Sequence, residues 1–345
     1  MTSSRMDGPE MDLTGVTAGS AALDHSVPGV VPVAAVARTP AALAWRRFRA
    51  DRTGVVAGVV VGLFFVVALA APLISAVYGK DPYTTYGQNE PGLLDDYGYP
   101  TGALGGVSGR FWLGLEPGLG RDVFTQLVYG IRTSLLIALA VVLIITVLGT
   151  AVGLVAGYAG GWLDFGISRV VDVALSFPST LFIIAFVPVV QSLFVSADRQ
   201  TPTWMRVVTL VVVLSAFGWA PVARLLRGQV ISLRTREFVE AARIGGASPR
   251  RVIVRELLPN LWTPILVSAS LSVPAYVTAE AALSFLGAGI DEPTPDWGRM
   301  IHRGAEVYLS DITYMLVPGV AILIFVVAFN LLGDSVRDAL APSDR

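Results

Sequence analysis

The residues of this sequence that could do chemistry are few, and one group of charged residues stands between two apolar runs. Residues 240–259 read EAARIGGASPRRVIVRELLP and contain six charged side chains beside a double glycine. Elsewhere the repertoire is thin, because Cys is absent and the two histidines, His25 and His302, are far apart in the sequence. A structural or catalytic metal site needs several convergent His, Cys or carboxylate ligands, so no metal site is expected.

The sequence also lacks the loop that would let the chain hydrolyse a nucleotide. No GxxxxGK[ST] motif occurs, so the chain is not expected to bind ATP or another cofactor itself. A proton-coupled carrier would place acids near the bilayer midplane. The candidate acids, Asp172 and Glu280, each stand beside the end of an apolar run. Interfacial carboxylates would account for both, which favours an energy-consuming partner over ion coupling.

Six charge-free runs are the elements that must position these residues. The chain is 54% hydrophobic and only 15% charged, a balance typical of a polytopic membrane protein. About 20 apolar residues cross the hydrocarbon, and they do so as a helix because lipid offers the backbone no hydrogen-bond partner. The runs are 53–79, 133–163, 173–197, 207–223, 257–279 and 312–333. The prediction is an all-α polytopic membrane protein with six transmembrane helices.

The distribution of arginine predicts the orientation of these helices. Residues 46–52 carry four Arg, and residues 224–255 carry eight Arg against two Glu. By contrast, residues 79–132 carry four basic and six acidic side chains, and residues 286–311 carry two Arg against five acids. Basic loops stay in the cytoplasm. Both termini and the charged stretch 240–259 are therefore expected there.

Composition divides the rest of the chain into segments. Residues 1–40 are rich in small residues, proline and acids, which predicts a disordered cytoplasmic tail. Residues 41–52 combine apolar and basic side chains, which predicts an amphipathic helix at the lipid interface. The expected order continues with a first transmembrane helix 53–79, an extracytoplasmic loop 80–132, a core of five transmembrane helices 133–335 containing a cytoplasmic loop 235–260, and a cytoplasmic tail 336–345.

A glycine repeat lies in the second run. Gly149, Gly153 and Gly157 recur every four residues and so share one face of a helix. Such a face of small residues predicts the close approach of another helix. The alternative is coincidence in a chain that contains 35 Gly.

Local signals predict that residues 235–259 form two short helices joined by a turn. Thr235 is the expected N-cap of the first helix, and the glycines at 245–246 suit its end, where glycine adopts a left-handed conformation readily. Ser248 is expected to cap the second helix, with Pro249 in its favoured first position. A DNA-binding helix-turn-helix is excluded because the element lies between two membrane spans, so no nucleic acid partner is expected. A basic loop that only holds the topology remains an alternative.

This stretch resembles the EAA loop of bacterial ABC importer permeases. That loop reads EAA, three residues, Gly, nine residues, then Ile-x-Leu-Pro. Here Glu240 begins the EAA, Gly246 stands at the glycine position, and Pro259 closes the Leu-Pro pair. Glu256 departs from the pattern at the Ile position, and Asn260 after the proline is similar to the peptide-transport branch.

Three further stretches resemble the dipeptide and oligopeptide branch of that family. FWLGLEPGLGRDVF at 111–124 is similar to the WLGTDxLGRD signature, with one extra residue and Leu-Glu in place of Thr-Asp. AEAALSFLGAGIDEPTPDWG at 279–298 is similar to EAALSFLGLGxxPPxPxWG, and DVALSFPS at 172–179 is similar to the entrance of the third span. The similarity covers roughly residues 41–340. A second EAA at 280–282 lacks the spaced Gly and Leu-Pro, so it is not expected to dock.

The resemblance implies the transmembrane domain of a type I ABC importer, in which the EAA loop is a coupling helix that docks on an ATPase. The implied docking residues are Glu240, Ala241, Ala242, Gly246, Ala247, Ser248, Pro249, Leu258 and Pro259. The alanines would permit close approach, the glycine a sharp turn, and Glu240 with the arginines polar contacts at the rim. Glu280 and Ser284, one helical turn apart, are the expected substrate-path residues, with the carboxylate attracting a peptide's amino terminus.

The resemblance also implies the partners and the role. The partners are a second homologous permease forming a heterodimer, two ATPase subunits or domains that bind ATP and Mg²⁺, an extracytoplasmic solute-binding protein, and membrane lipid. The role is uptake of di- or oligopeptides across the bacterial cytoplasmic membrane, with no ATPase site on this chain. Nickel, oligosaccharide or opine-type solutes remain alternatives. Outside the family, an ion-coupled secondary transporter and a non-transporting membrane scaffold are the competing classes.

Overall fold

The fold is all-α in the part of the chain that the computed structural model describes, residues 40–194 and 201–340. Apart from helices and loops, these residues contain two isolated β-bridges, Leu94 with Pro100 and Leu115 with Asp122. The predicted all-α class is therefore confirmed. The predicted tail 1–40 lies outside the described residues except for its last residue, and so do residues 341–345.

Thirteen α-helices and one π-helical segment follow one another in these residues. They are α1 Pro40–Ala50, α2 Arg52–Tyr78, α3 Tyr86–Asn89, α4 Val123–Ala159, α5 Gly161–Ser176, α6 Ser179–Phe194, α7 Thr203–Leu233, α8 Glu237–Ile244, α9 Pro249–Arg251, the π-helical segment Val252–Leu257, α10 Leu258–Asn260, α11 Trp262–Phe285, α12 Trp297–Val307 and α13 Thr313–Leu340. The end of the bundle that carries α12 and the loop after α2 is called the outer end here. The end that carries α8 is called the inner end.

Five of these helices, α2, α4, α7, α11 and α13, are long and apolar enough to cross a membrane. A sixth crossing requires α5 and α6 together, which are bent by 83° at the break between them. The bend follows from Pro178, because the residue before a proline avoids the helical conformation and Phe177 is extended with φ −80° and ψ 133°. The third predicted span, 173–197, is therefore wrong as a single straight helix.

Two other predicted boundaries are also corrected. The second span begins at Val123 rather than at 133, because the Asp122 carboxylate caps the helix and accepts a hydrogen bond from the Thr125 N–H at 2.7 Å. The last span continues to Leu340, so part of the predicted tail 336–345 is helical. Charge-free runs underestimate helix length because turns that project beyond the apolar zone can carry exposed charges such as Arg132.

The predicted glycine face packs against α7. A Cβ atom placed on Gly149, Gly153 or Gly157 would lie 2.8–2.9 Å from a backbone carbonyl oxygen of α7. Only glycine fits such an approach, so the interpretation of the repeat is confirmed. The two helices enclose an aliphatic core that includes Leu226 and Val230, both fully buried.

The α5 helix is held to α7 by ion pairs. The Arg227 guanidinium binds the Asp164 carboxylate with nitrogen–oxygen distances of 2.5 and 2.8 Å. Arg224 binds Asp172, one of the two acids considered for ion coupling, and both side chains are about half exposed. Asp172 is thus a surface carboxylate with a partner, rather than a buried relay group.

A second core lies towards the outer end, between α2, α4, α11 and α13. Its centre is Trp297 at the start of α12, which is fully buried and packs edge-on against Phe64 with ring centroids 6.1 Å apart. A Cβ on Gly130 of α4 would lie 2.9 Å from the Trp297 ring. The start of α12 is therefore wedged against the membrane helices rather than lying free in a loop.

Candidate functional site

Helix α8, which carries the EAA residues, ends in a Schellman motif. The Ala247 N–H donates to the Ala242 carbonyl and the Gly246 N–H donates to the Arg243 carbonyl, each at 3.0 Å. These bonds satisfy carbonyl groups that the end of a helix leaves free. Gly246 has a φ of +79°, the left-handed conformation expected of this turn, whereas the preceding glycine keeps a φ of −71°.

The caps of the two short helices differ in part from the prediction. The N-cap of α8 is Arg236, not Thr235, and it forms no side-chain capping bond. The Thr235 side chain bonds to the preceding helix instead, where its hydroxyl donates to the Ser232 carbonyl at 3.2 Å. Ser248 occupies the predicted N-cap position with Pro249 after it, but its hydroxyl makes no capping hydrogen bond.

The second short helix is distorted before the membrane span begins. Residues Val252–Leu257 are π-helical, and the Leu258 N–H reaches back to the Ile253 carbonyl. Pro259 has no N–H to continue the α-helical pattern. The Asn260 side-chain amide donates to the Glu256 carbonyl at 2.6 Å. Single π-helical turns are rare and frequently occur at functional sites.

One face of this EAA loop, residues 235–260, is fixed to the membrane helices. Val239, Val252 and Leu257 are fully buried and belong to the same core as α4 and α7. Just before the loop, the Arg234 guanidinium donates to the Gly157 carbonyl at the end of α4, at 2.9 Å. These contacts tie the loop to the inner ends of two long helices, so a force on α8 acts on both of them.

The other face of α8 is open. Ala241 is exposed, and three residues to either side Phe238 and Ile244 are 38% and 88% exposed. Residues at this spacing share one side of a helix. Phe238 and Ile244 were missed by the sequence prediction, although apolar residues three positions before and after the alanine were a readable signal. An exposed apolar strip between charged side chains is typical of a protein–protein contact.

The predicted docking residues lie together on this loop, but not all of them are exposed. Glu240, Ala241, Gly246, Ser248, Pro249 and Pro259 are exposed, whereas Ala242, Ala247 and Leu258 are partly buried. The exposed charges around them are mostly Arg236, Arg243, Arg250, Arg251 and Arg255. The surface is therefore a small apolar strip with a largely basic rim.

The predicted substrate-path residues lie in a different environment from the one expected. Glu280 and Ser284 do share a face of α11, because the Ser284 hydroxyl donates to the Glu280 carboxyl at 3.1 Å. However, Glu280 is fully buried and Ser284 is 4% exposed. The start of α12 covers them, since a Cβ on Gly298 would lie 2.1 Å from the Ala281 carbonyl oxygen. Neither side chain is open to solvent, and the assignment of Glu280 and Ser284 to a substrate path stays a prediction.

An outer polar network joins two of the motifs that the sequence analysis singled out. Arg121, in the 111–124 stretch, binds Glu116 at 2.5 and 2.8 Å and Glu292 at 3.1 Å. Glu292 in turn binds Arg299 at 2.9 Å, and Arg299 also donates to Gln126 at 3.2 Å. The network therefore links the loop after α2, the start of α4 and the start of α12.

The electrostatics of this network follow from its burial. Arg121 and Glu116 are 2% and 0% exposed. Burial alone would lower the pKa of the Arg121 guanidinium, but its hydrogen bonds to Glu116 outweigh that effect and the pKa is raised. Burial raises the pKa of Asp122 beside it. Sequence reasoning noted the motifs but not this pairing, because its partners are up to 171 positions apart.

Two models of known protein families match most of the described chain and leave residues 95–148 between them unmatched. The model of the family described as "Binding-protein-dependent transport system inner membrane component" matches residues 149–343. The model described as "N-terminal TM domain of oligopeptide transport permease C" matches residues 39–94. The first match includes the whole EAA loop.

Curated relatives cover a similar extent. The dipeptide transport system permease protein DppC of Alkalihalophilus pseudofirmus is 34% identical over 87% of this chain and 88% of its own length. The glutathione transport system permease protein GsiD of Escherichia coli is 34% identical over 88% and 91%. The oligopeptide transport system permease protein OppC of Mycobacterium bovis is 35% identical over 87% and 94%.

Solved structures show the fold. Inward-facing structures of the MetNI methionine ABC transporter match with a TM-score of 0.51 and 20% identity, over 63% of this chain and 97% of the matched chain. At that identity the match supports the fold alone. It agrees with the type I importer fold expected from the EAA loop.

Proposed function

The chain belongs to the family of binding-protein-dependent transport system inner membrane components, and on that premise we propose that it is one permease subunit of a peptide importer. It is a membrane transport component of an ABC importer and not an ATPase. Family membership also disfavours an ion-coupled carrier and a non-transporting scaffold. The proposed location is the bacterial cytoplasmic membrane.

The observation that carries the proposed mechanism is the two-faced construction of α8. Its exposed strip, Phe238, Ala241 and Ile244, is free to enter a groove on another protein. Its buried face, centred on Val239, belongs to the core of α4 and α7. Movement of an attached protein would therefore reach both long helices without first deforming the loop. An ATPase that binds ATP and Mg²⁺ is the proposed partner at this surface.

Further proposed partners complete the transporter. A second permease would form the other half of the translocation path, and two ATPase subunits or domains would lie beneath the pair. An extracytoplasmic binding protein would deliver the solute to the outer end. The names of the relatives support peptides as that solute, because the three described above are named for dipeptide, glutathione and oligopeptide transport. Nickel and oligosaccharides are the less favoured alternatives.

The proposal is tested by reconstituting the whole transporter in lipid vesicles. The complex should hydrolyse ATP faster when peptide-loaded binding protein is added, and radiolabelled peptide should accumulate inside. Binding protein without peptide, and peptide without binding protein, are the controls. Equal ATP hydrolysis in all conditions, or uptake that follows an ion gradient and not ATP, would contradict the proposal.

The orientation is a separate proposal, supported by the arginine distribution, and the absence of Cys makes it easy to test. Gly109 and Ser248 are exposed at the outer and inner ends, and a Cβ on Gly109 meets no atom within 4 Å. In intact cells, Gly109→Cys should react with a membrane-impermeant maleimide, whereas Ser248→Cys should react only after the membrane is permeabilised. The reverse labelling would place the EAA loop outside and exclude docking on a cytoplasmic ATPase.

A further inference from the structure

Two acidic side chains meet in the interior near the outer end of the bundle. Glu280 lies just over one turn before the end of α11, and Asp296 is the N-cap of α12, where its Oδ1 accepts from the Arg299 N–H at 2.8 Å. Both residues are 0% exposed. The close packing of Gly298 on Ala281 brings the two acids near each other, and each carboxyl group keeps one buried oxygen without a hydrogen bond.

The neighbouring cations are all engaged with other acids or face elsewhere. Arg299 of α12 binds Glu292 and Gln126, Arg121 binds Glu116 and Glu292, and Arg303 binds Glu306 at 2.7 Å. His302 lies within 3.9 Å of Glu306. Towards the pair itself, α11 presents the Ser284 hydroxyl. The buried Ser134 hydroxyl of α4 has no hydrogen-bond partner, and Tyr314 of α13 donates to Gln126. Among the described residues, neither Glu280 nor Asp296 forms an ion pair within 4 Å.

One oxygen of each carboxyl group has no conventional partner. Glu280 Oε1 accepts from Ser284 and Asp296 Oδ1 accepts from a backbone N–H, but Glu280 Oε2 and Asp296 Oδ2 are buried without a hydrogen bond. Ionised carboxylates only accept, so two of them in contact cannot satisfy each other. A single proton between the two oxygens supplies the missing donor and removes the repulsion of two buried charges.

We propose that Glu280 and Asp296 form a proton-binding site in which the two carboxyl groups share one proton, and that this proton holds the start of α12 on α11. A metal ion is the competing occupant. It is disfavoured because the described residues contain no group of three or more His, Cys, Asp or Glu able to hold one. The proposal does not depend on the transported solute.

The site predicts how stability changes with pH. The folded chain keeps a proton that the unfolded chain releases above about pH 4–5. Stability therefore falls as pH rises through the neutral range, because the folded state binds more protons than the unfolded state. One retained proton corresponds to a loss of about tenfold in the folding equilibrium constant per pH unit. Deprotonation of the pair would also loosen the attachment of α12.

The test compares the full chain, in lipid nanodiscs with its co-purifying subunits, with two isosteric variants. Glu280→Gln and Asp296→Asn each replace the shared proton with an amide N–H that can donate to the remaining carboxylate, and asparagine keeps the N-cap of α12. Thermal-unfolding midpoints are measured between pH 5 and pH 8, with and without Na⁺ and Mg²⁺. As pH rises, the wild-type midpoint should fall more steeply than the midpoint of either variant. The difference in slope should correspond to about one proton bound on folding. Added Na⁺ or Mg²⁺ should not change the midpoint.

An infrared measurement on the wild type alone guards against variants that do not fold. A carbonyl-stretch band of a buried, protonated carboxyl group should be present at neutral pH, disappear at high pH, and be absent from each variant that folds. Absence of the band at neutral pH, pH slopes that are the same in wild type and variants, or stabilisation by a metal ion in place of the pH dependence would each overturn the shared proton.

Discussion

The EAA loop and the outer polar network both lie at the ends of apolar helices, but they differ in which groups they bury and which they expose. In the EAA loop, aliphatic side chains face the core, while Ala241, Ile244 and most of the charges remain exposed. In the outer network, Arg121 and Glu116 are buried and satisfy one another. A surface that is left unsatisfied is suited to a partner, whereas a closed network is suited to holding the chain's own elements together.

The largest effect is expected from breaking the closed network. Arg121→Leu removes the cation from Glu116 and leaves that carboxylate buried without its partner. Loss of one member of a buried ion pair costs about 3–5 kcal/mol. We therefore expect the free energy of unfolding of the purified chain to fall by that amount, or the chain to be degraded in the membrane. Denaturant titration and the amount of protein in membranes measure this.

A second ion pair at the outer end supplies the matched control. Arg110 and Glu90 are 2.5 Å apart, but both side chains are exposed. Exposed pairs contribute about 0–1 kcal/mol, so Arg110→Leu should leave stability nearly unchanged. Similar losses from the two arginine variants would show that burial does not distinguish the network from an ordinary surface.

A somewhat smaller effect is expected from a change in the exposed strip of α8, and it should alter binding instead of stability. Ile244→Ala removes an apolar side chain that makes little contact within its own chain. If this side chain enters a groove on the ATPase, its loss should weaken the assembled complex by about 2 kcal/mol while the unfolding midpoint stays the same. Binding of the purified ATPase to the permease in nanodiscs measures the loss. Leu309→Ala, at an 86% exposed position at the outer end, should change neither quantity.

The smallest effect is expected at the rim. Glu240→Lys reverses an exposed charge beside the strip without touching the core. Rim charges mainly alter the rate and salt dependence of association, so we expect less than about 1 kcal/mol in affinity, diminishing as ionic strength rises. Surface plasmon resonance at two salt concentrations measures this. A loss of affinity larger than that of Ile244→Ala would show that charge, and not apolar packing, makes the main contact with the ATPase.

The same comparison explains which features could be predicted from the sequence. The EAA loop is contiguous, so local chemistry predicted its main features. These are the turn at Gly246, the start of the second short helix at Pro249, and the position of the loop between two spans. The α-helical class followed from composition. Phe238 and Ile244 were missed because, within an apolar chain, their exposure depends on which face of α8 meets the core.

Features that depend on long-range packing could not be predicted in this way. Hydrogen-bonded partners in the outer polar network are up to 173 positions apart, and nothing local pairs Arg299 with Gln126. The burial of Glu280 was missed because its own helix was considered without α12, which covers it. The α5–α6 bend is different: Pro178 was a local signal for it, but the span was predicted from the charge-free run alone.

The central claim is that the turn at Gly246 serves docking, and a pair of glycine variants tests it most directly. Gly246 and Gly79 are both left-handed, with φ of +79° and +72°, and a Cβ on either meets no atom within 4 Å. Valine at each should therefore cause a similar strain of about 1–3 kcal/mol. Gly79 ends α2 at the outer end, away from the EAA loop.

The measurement is the stimulation of ATP hydrolysis by peptide-loaded binding protein in the reconstituted transporter. We predict that Gly246→Val assembles in the membrane but loses the stimulation, whereas Gly79→Val keeps it despite the equal strain. Full stimulation with Gly246→Val, or an equal loss with Gly79→Val, would contradict the assignment of this turn to ATPase docking.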